Sequence, residues 1–412
     1  MTDSFNKYCE EAASTNLPSS EDEEDIGDDD TCSAQQLAKE FRNFRPKDES
    51  GVSLQRDYVL CLDADRGFSR IAAGLSSSAV HIFNLDANGG GRLEKFCFLP
   101  PSDTKTSSIC GVRFLDEGPD NVLVGSTNGY VLLYDLRVKG EQARFRHTEK
   151  DKGQLPVSKS ITCFDRNANG RIICSGTEQY MSNVHLLFFD VRERSFMGVY
   201  NESHEDDITS VRFHDRNPDL LVTGSSDGLV NLFDVKESEE DEALLNTINT
   251  ESSVGRLQWH RNVYEKDMVS CITHQHEFKI YECQEGDEVS SLERSDITAA
   301  IRRKNPANCT PINAHNQEDG GLFLLAGTNF NRGEVLRSFN VASKTKLEPL
   351  ANYLGNKQIV RDSVFDAKRG LLVTGGESGI VTVWAEQDSS EASGSEKLKI
   401  KSGKKNRKKT PY

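Results

Sequence analysis

From Val59 to Trp384 the chain repeats one arrangement of apolar and polar positions. An apolar run is followed by small residues and a turn. A second, alternating run then ends on an aromatic residue and an acid or amide. The clearest copy is LLVTGSSDGLVNLFDV, Leu220 to Val235; VLVGSTNGYVLLYDL from Val122 and LLVTGGESGIVTVW from Leu371 follow it closely. Weaker copies start at Ile71, Ile172, Val269 and Leu322. The closing aromatics are Phe83, Tyr134, Phe189, Phe233, Tyr281, Phe339 and Trp384, spaced 51, 55, 44, 48, 58 and 45 residues apart. Alternation is the signature of a strand with one face buried. Asp227-Gly228 and Asn128-Gly129 supply the positive φ angles of a two-residue hairpin turn. A further strand precedes each copy: YVLCLD, ICGVRF, SITCFD, ITSVRF, VGRLQW, a poor match at Thr310 to Ala314, and IVRDSVF. In the fourth, Val211 and Phe213 are placed on one face, with Thr209 and Arg212 off it. Seven such copies predict an all-β propeller of seven four-stranded blades, in which each sheet is buried by its neighbours.

The fourth copy, ESHEDDITSVRFHDRNPDLLVTGSSDGLVNLFD, carries a more specific likeness. Together with the other copies it resembles the WD-repeat family over residues 58–384. The resemblance implies a seven-bladed WD-repeat β-propeller that presents loops to protein partners. It also implies a His–Ser/Thr–Asp–Trp network within each blade, carried here by His204, Ser225 and Asp227. Phe233 stands where that network has Trp, so the indole N–H is lost. Trp384 keeps the family residue, in a blade without the turn Asp. The network is therefore expected to be incomplete in every blade.

Outside the repeats the pattern changes. Residues 1–33 are rich in acids, including the run Ser19-Ser20-Glu21-Asp22-Glu23-Glu24-Asp25, and are expected to form a disordered acidic tail. Residues 387–412 are expected to be a disordered basic tail, with 8 basic and 3 acidic side chains. Between the tail and the propeller (58–386), residues 34–57 suit a short helix and a ring-closing strand. Ser33 and Gln36 read as a capping-box pair, and Leu37, Phe41 and Phe44 share a helical face over Ala34 to Phe44. The stretch Phe41 to Leu54 is the candidate to complete the last blade, with the strand placed near Val52 to Leu54 if the helix forms first.

Charge and cysteine usage narrow the function. The chain of 412 residues carries a net charge of -15, which disfavours nucleic acid as a partner for the propeller because phosphate binding needs clustered cations. Ten cysteines occur without a CxxC pair, and Cys61, Cys110, Cys163, Cys174 and Cys271 lie in apolar runs. That usage fits buried thiols in a reducing compartment. No apolar run approaches eighteen residues, so no membrane role is expected, and a monomer is.

Several motifs have simpler readings. Gly224-Ser225-Ser226-Asp227-Gly228 fits a serine-hydrolase pattern, but sits between two strands rather than on a strand–helix elbow. Asp165-x-Asn167-x-Asn169-Gly170 and Asn84-x-Asp86-x-Asn88-Gly89 echo a calcium loop, yet position twelve is Gly176 or Lys95 instead of Glu. His274 and His276, with His260 or Cys283, match no metal spacing. No catalytic, cofactor or metal residue is assigned.

Two boxes stand out: Tyr134-Asp135-Leu136-Arg137 and Phe189-Asp190-Val191-Arg192. They resemble the WDxR box of WD-repeat substrate receptors in cullin-RING ubiquitin ligases. That likeness makes Asp135, Arg137, Asp190 and Arg192 candidate docking residues for the ligase adaptor, with the Ala34 to Phe44 face as a second element. The next copy has Lys236, which lacks the bidentate geometry of Arg. Ser19 and Ser20 resemble acidophilic phosphorylation sites. Lys404, Lys405, Arg407, Lys408 and Lys409 resemble a nuclear import signal, so the nucleus, with the cytoplasm as a second location, is expected. The resulting expectation is a non-enzymatic protein-interaction scaffold; the alternative is a ubiquitin-ligase substrate receptor.

Overall fold

A computed structural model describes residues 29–387, apart from 53–55, 87–89, 102–106, 116–117, 150–156, 263 and 344–345. Ser19, Ser20 and the cluster from Lys404 to Lys409 lie outside the described residues.

The strands form antiparallel four-strand units, each running outward from a central axis. Blade 1 comprises Val59–Ala64, Arg70–Leu75, Val80–Asp86 and Arg92–Leu99; blade 2 comprises Ile109–Phe114, Asn121–Ser126, Tyr130–Asp135 and Glu141–Arg146. Blade 3 is Ile161–Arg166, Ile172–Thr177, Leu186–Asp190 and Ser195–Tyr200. Blade 4 is Ile208–Phe213, Leu220–Ser225, Leu229–Asp234 and Leu244–Asn249. Blade 5 is Val254–Arg261, Asp267–Thr273, Phe278–Glu282 and Glu288–Leu292.

Apart from a two-stranded ribbon, Thr148–Glu149 with Val157–Ser158, the other strands form one eight-stranded sheet rather than two separate ones. One half, blade 6, is Cys309–Asn316, Leu322–Thr328, Leu336–Ser343 and Lys346–Tyr353. The other half, blade 7, is Val360–Asp366, Leu371–Gly376, Ile380–Glu386 and, outermost, the N-terminal strand Arg42–Gly51. That strand runs antiparallel to Ile380–Glu386, and its first residues pair in parallel with Ala351–Tyr353 of blade 6. These few parallel pairs fuse the two blades into one sheet.

The core is divided at the seams. Buried apolar residues fall into seven clusters, and each straddles one seam between adjacent blades. The decisive cluster joins Val373, Val381 and Val383 of blade 7 to Val59, Leu62 and Ile71 of blade 1, so the ring is closed. The small residues of the repeat are explained at the same seams. A Cβ on Gly224 would stand 2.5 Å from Val254 of the next blade, and one on Gly375 would stand 2.5 Å from Val59. Glycine lets the inner strand of one blade press against the backbone of the last.

Simple alternation fails on the inner strands. Each inner strand shifts register once against its neighbour, as between Ile208 and Ser210. A bulge turns one additional residue toward the axis, giving Ile208–Phe213 a buried–half–buried–buried–half–buried pattern. Thr209 and Arg212 are the two half-buried residues.

The N-terminal segment departs from expectation in detail. The helix spans Ala34–Glu40, not Ala34 to Phe44, because Phe41 is already extended and begins the pairing that follows. Ser33 caps Gln36, but the Gln36 amide donates to Glu40 at 2.9 Å instead of returning to Ser33, so no capping box forms. The ring-closing strand is Arg42–Gly51, earlier than Val52 to Leu54. Leu37 and Phe41 are buried. The apolar face assigned to an adaptor is therefore turned into the protein.

Blade 4 also corrects the hydrogen-bond network. His204 Nδ1 lies 3.1 Å from Asp227 Oδ2, and its Nε2 lies 2.8 Å from Thr223 Oγ1. Ser225 instead donates to the Asp206 carbonyl at 2.9 Å and accepts from Asp227 N–H at 3.1 Å. Thr223 and Thr374 hold equivalent places, each two residues past the partner of the closing aromatic. Trp384 Nε1 donates to Thr374 at 2.9 Å. Phe233 has no such donor, so blade 4 keeps the His–Thr–Asp arm and blade 7 keeps the Trp–Thr arm.

Candidate partner-binding surfaces

Up-and-down strand order places the turns after the inner and third strands on one face, here the lower face. Both DxR boxes follow third strands, so they share the lower rim of adjacent blades. Their turns are built alike. In blade 2, Arg137 N–H donates to Asp135 Oδ1 at 3.0 Å; in blade 3, Arg192 N–H donates to Asp190 Oδ1 at 2.7 Å. An aspartate that accepts the N–H two residues on is a standard turn former.

The guanidiniums differ. Arg137 folds back on its own aspartate, donating from Nε to Oδ1 at 2.9 Å and from Nη2 to Oδ2 at 2.8 Å, with Asp120 Oδ2 at 3.9 Å. Its hydrogen bond holds the Asp135 carboxyl down at about 2. Arg192 is exposed and its guanidinium has no ion-pair partner among the described residues. The reason lies on the neighbouring strand. The residue before the second strand is Asp120 in blade 2 and Asp219 in blade 4, where Lys236 Nζ reaches it at 3.0 Å. In blade 3 that residue is Arg171, whose carbonyl receives Val191 N–H. Blade 3 thus presents two arginines where its neighbours hold an ion pair. The next strand adds exposed Phe196, Met197 and Val199, and Val138 is exposed on the adjoining turn of blade 2. Sequence alternation alone did not single out this apolar edge; its signal is the uncharged run SFMGVY on an outermost strand.

Along the central channel, ionisable side chains stitch inner strands together. Arg113 Nε lies 3.0 Å from Asp165 Oδ1, and Arg256 Nη1 lies 2.5 Å from Asp362 Oδ1. Backbone N–H groups of the next blade donate to these acids: Phe114 to Asp63 at 2.7 Å, Phe213 to Asp165 at 2.9 Å and Leu62 to Asp362 at 2.8 Å. Burial pushes the Asp63 carboxyl up to about 6, against the opposing pull of Arg113 and the Phe114 N–H. An acid raised in the folded state binds its proton more firmly there than in the unfolded chain. Stability tied to the protonated form is complete below about 3.8, the ordinary value, and is lost as pH rises through about 6. Asp63→Asn keeps the acceptor and removes the ionisation. Its denaturation midpoint, followed from pH 4 to 8, should lose less over that window than the wild-type midpoint; parallel profiles would refute this role.

The first calcium-like loop is spent on structure, while Asn88 and Gly89 of the second lie outside the described residues. Asp165 serves the channel, and Asn167 Oδ1 accepts from Arg171 N–H and Ile172 N–H at 2.9 and 3.0 Å. His274 Nδ1 meets Ser253 Oγ at 2.7 Å, while His260 bonds Asn316 and Ser270. Among the described residues, no three His, Cys, Asp or Glu side chains are grouped to hold a metal ion. Ser225, the serine of the hydrolase-like pattern, lies at a strand end and is engaged in its turn. No helix among the described residues is long and apolar enough to cross a membrane.

The family model described as WD domain, G-beta repeat matches residues 195–234, from the outer strand of blade 3 through the third strand of blade 4. The chain is similar to an uncharacterized WD repeat-containing protein of Schizosaccharomyces pombe, 25% identical over 67% of this chain and 82% of the relative. It is also similar to the WD repeat-containing protein 89 homolog of Dictyostelium discoideum, 24% identical over 57% of this chain and 62% of that protein. A chain in the crystal structure of the mitotic checkpoint complex superposes with a TM-score of 0.61, covering 91% of this chain and 98% of that one at 15% identity. The last likeness is one of fold.

Proposed function

We propose, from its likeness to WD-repeat proteins, that the chain is a WD-repeat propeller serving as a non-enzymatic scaffold, whose protein partner seats on the lower rim of blade 3. A WD-repeat propeller fits a general protein-interaction role. The observation that carries the finer reading is Arg192, without an ion-pair partner among the described residues, on the same rim as Arg171 and the exposed Phe196 and Met197. Arginine next to bulky apolar side chains is the composition of binding hot spots. The two arginines favour a partner that supplies carboxylates.

The surface makes an asymmetric prediction. Arg192→Ala should weaken partner capture by about tenfold, roughly 1.4 kcal/mol. Arg137→Ala should change it by about twofold or less, since that guanidinium is already held by Asp135 and Asp120 and an exposed ion pair contributes little. Quantitative affinity purification of the two variants checks this; equal losses would contradict it.

A second reading keeps the cullin-RING adaptor as the partner, favoured by equivalent Asp-x-Arg turns in two consecutive blades. It rests on the rim alone, because the N-terminal helix buries Leu37 and Phe41. The same purification decides it: an Arg137→Ala/Arg192→Ala chain that retains the adaptor at wild-type level removes the adaptor reading. Nuclear import through Lys404, Lys405, Arg407, Lys408 and Lys409 is a separate proposal, and a reporter carrying residues 387–412 that stays cytoplasmic would overturn it.

A further inference from the structure

Beneath the N-terminal segment lie two buried arginines that neither the ring nor the lower rim requires. Arg303 follows the helix Arg294–Ala300 in the connection from blade 5 to blade 6, and Arg337 lies on the third strand of blade 6. They are 8% and 4% exposed. Arg337 is held in place independently of any acid: Nη1 donates to the Ile301 carbonyl at 2.6 Å and Nε to Asn352 at 3.3 Å. The two guanidiniums converge on one carboxylate, Asp30. Arg337 reaches Oδ1 at 2.6 Å and Oδ2 at 3.1 Å, and Arg303 reaches Oδ1 at 3.1 Å.

Asp30 is bound in the manner of a peptide ligand. It belongs to no helix or sheet; it makes an isolated antiparallel bridge with Arg303, and Thr31 N–H donates to the Arg302 carbonyl at 3.0 Å. Backbone pairing together with a buried, charge-assisted side-chain contact is a recurring mode of linear-peptide capture. At the edge of the socket Lys304 stands 3.9 Å from Asp29, which is 77% exposed, so the flank is held weakly. Burial works to raise the Asp30 carboxyl, yet the two arginines outweigh it and hold it below the ordinary range.

We propose that the Arg303–Arg337 socket is a receptor for an acidic linear segment of a partner protein, and that Asp30 occupies it in cis as a tethered competitor. The chain itself shows the ligand class: eight of the ten residues from Glu21 to Asp30 are acidic. Tethering gives Asp30 a high effective concentration, so a partner engages when it supplies several acids or when the tether is displaced. This inference rests on the scaffold reading and names a partner class for it. It uses a surface separate from Arg192, so its failure leaves the lower-rim test standing.

The test uses a fluorescein-labelled peptide of residues 24–33, EDIGDDDTCS, in reducing buffer, titrated into full-length chain by fluorescence anisotropy. Binding should be saturable with the Asp30→Ala chain and about tenfold or more tighter than with wild type, as expected for loss of a charge-assisted competitor. The same peptide carrying Asp30→Ala should bind that chain about tenfold more weakly. Equal affinity for both chains, equal affinity of both peptides, or no saturable binding overturns the proposal. Circular dichroism of the Asp30→Ala chain completes it: if that chain no longer folds, the contact is a structural staple and the receptor is refuted.

Discussion

Phe233→Ala is expected to lower the unfolding free energy by about 3–5 kcal/mol, the range for emptying a buried aromatic site. Phe233 is fully buried, paired across its sheet with Leu221, and packed 5.5 Å ring to ring against Tyr200 of blade 3. It therefore fills the seam between blades 3 and 4 as well as its own sheet. The surrounding strands are fixed by ladders on both sides, so the cavity cannot collapse cheaply. Urea denaturation should show a lower midpoint with an unchanged slope. Phe330→Ala, at a position 37% exposed, serves as the control and should fall within about 0.5 kcal/mol of wild type. A Phe233→Ala cost no larger than that of the control would mean the seam is not packed as described.

A chain that begins at Val52 is expected to lose its cooperative unfolding transition. The strand Arg42–Gly51 supplies the outer ladder of blade 7, and its removal strips the pairing along Ile380–Glu386 and the link to blade 6. It also removes the Phe44–Tyr353 ring contact at 5.4 Å and the Asp48 acceptor that receives Leu93 N–H at 2.7 Å. At about 1 kcal/mol net for each hydrogen bond, the loss is on the order of 5–10 kcal/mol, comparable to the total stability of a typical folded domain. An unpaired edge next to buried Trp384 would then invite aggregation. Calorimetry or a circular-dichroism melt of the shortened chain reads this; a sharp transition at the wild-type temperature would refute it.

The ring was legible in the sequence because blade-to-blade burial imposes a period, and the closing aromatics carry it. What escaped was set by contacts between copies rather than within them. Strict alternation cannot reveal the inner-strand bulge, which turns Thr209 and Arg212 together toward the axis. Position in the motif suggested Ser225 for the network, but the residue level with His204 is Thr223. Arg137 and Arg192 look equivalent in their boxes and differ because the adjoining strand starts after Asp120 in one blade and Arg171 in the other. Asp30 appeared as one acid among many. Its partner Arg337 lies 307 positions away, a distance over which local pattern carries no signal.

The ring is closed by strand pairing between opposite ends of the propeller. The most direct test is an Arg45→Cys/Ala385→Cys chain, since these residues are direct partners across the closing strands and antiparallel partners hold their Cβ atoms about 4.5–5.5 Å apart. Mild oxidation followed by peptide mass spectrometry should find one intramolecular disulfide between the two positions in a monomeric, folded chain. Thiols that stay reduced, or that link only between molecules, would contradict closure by this strand.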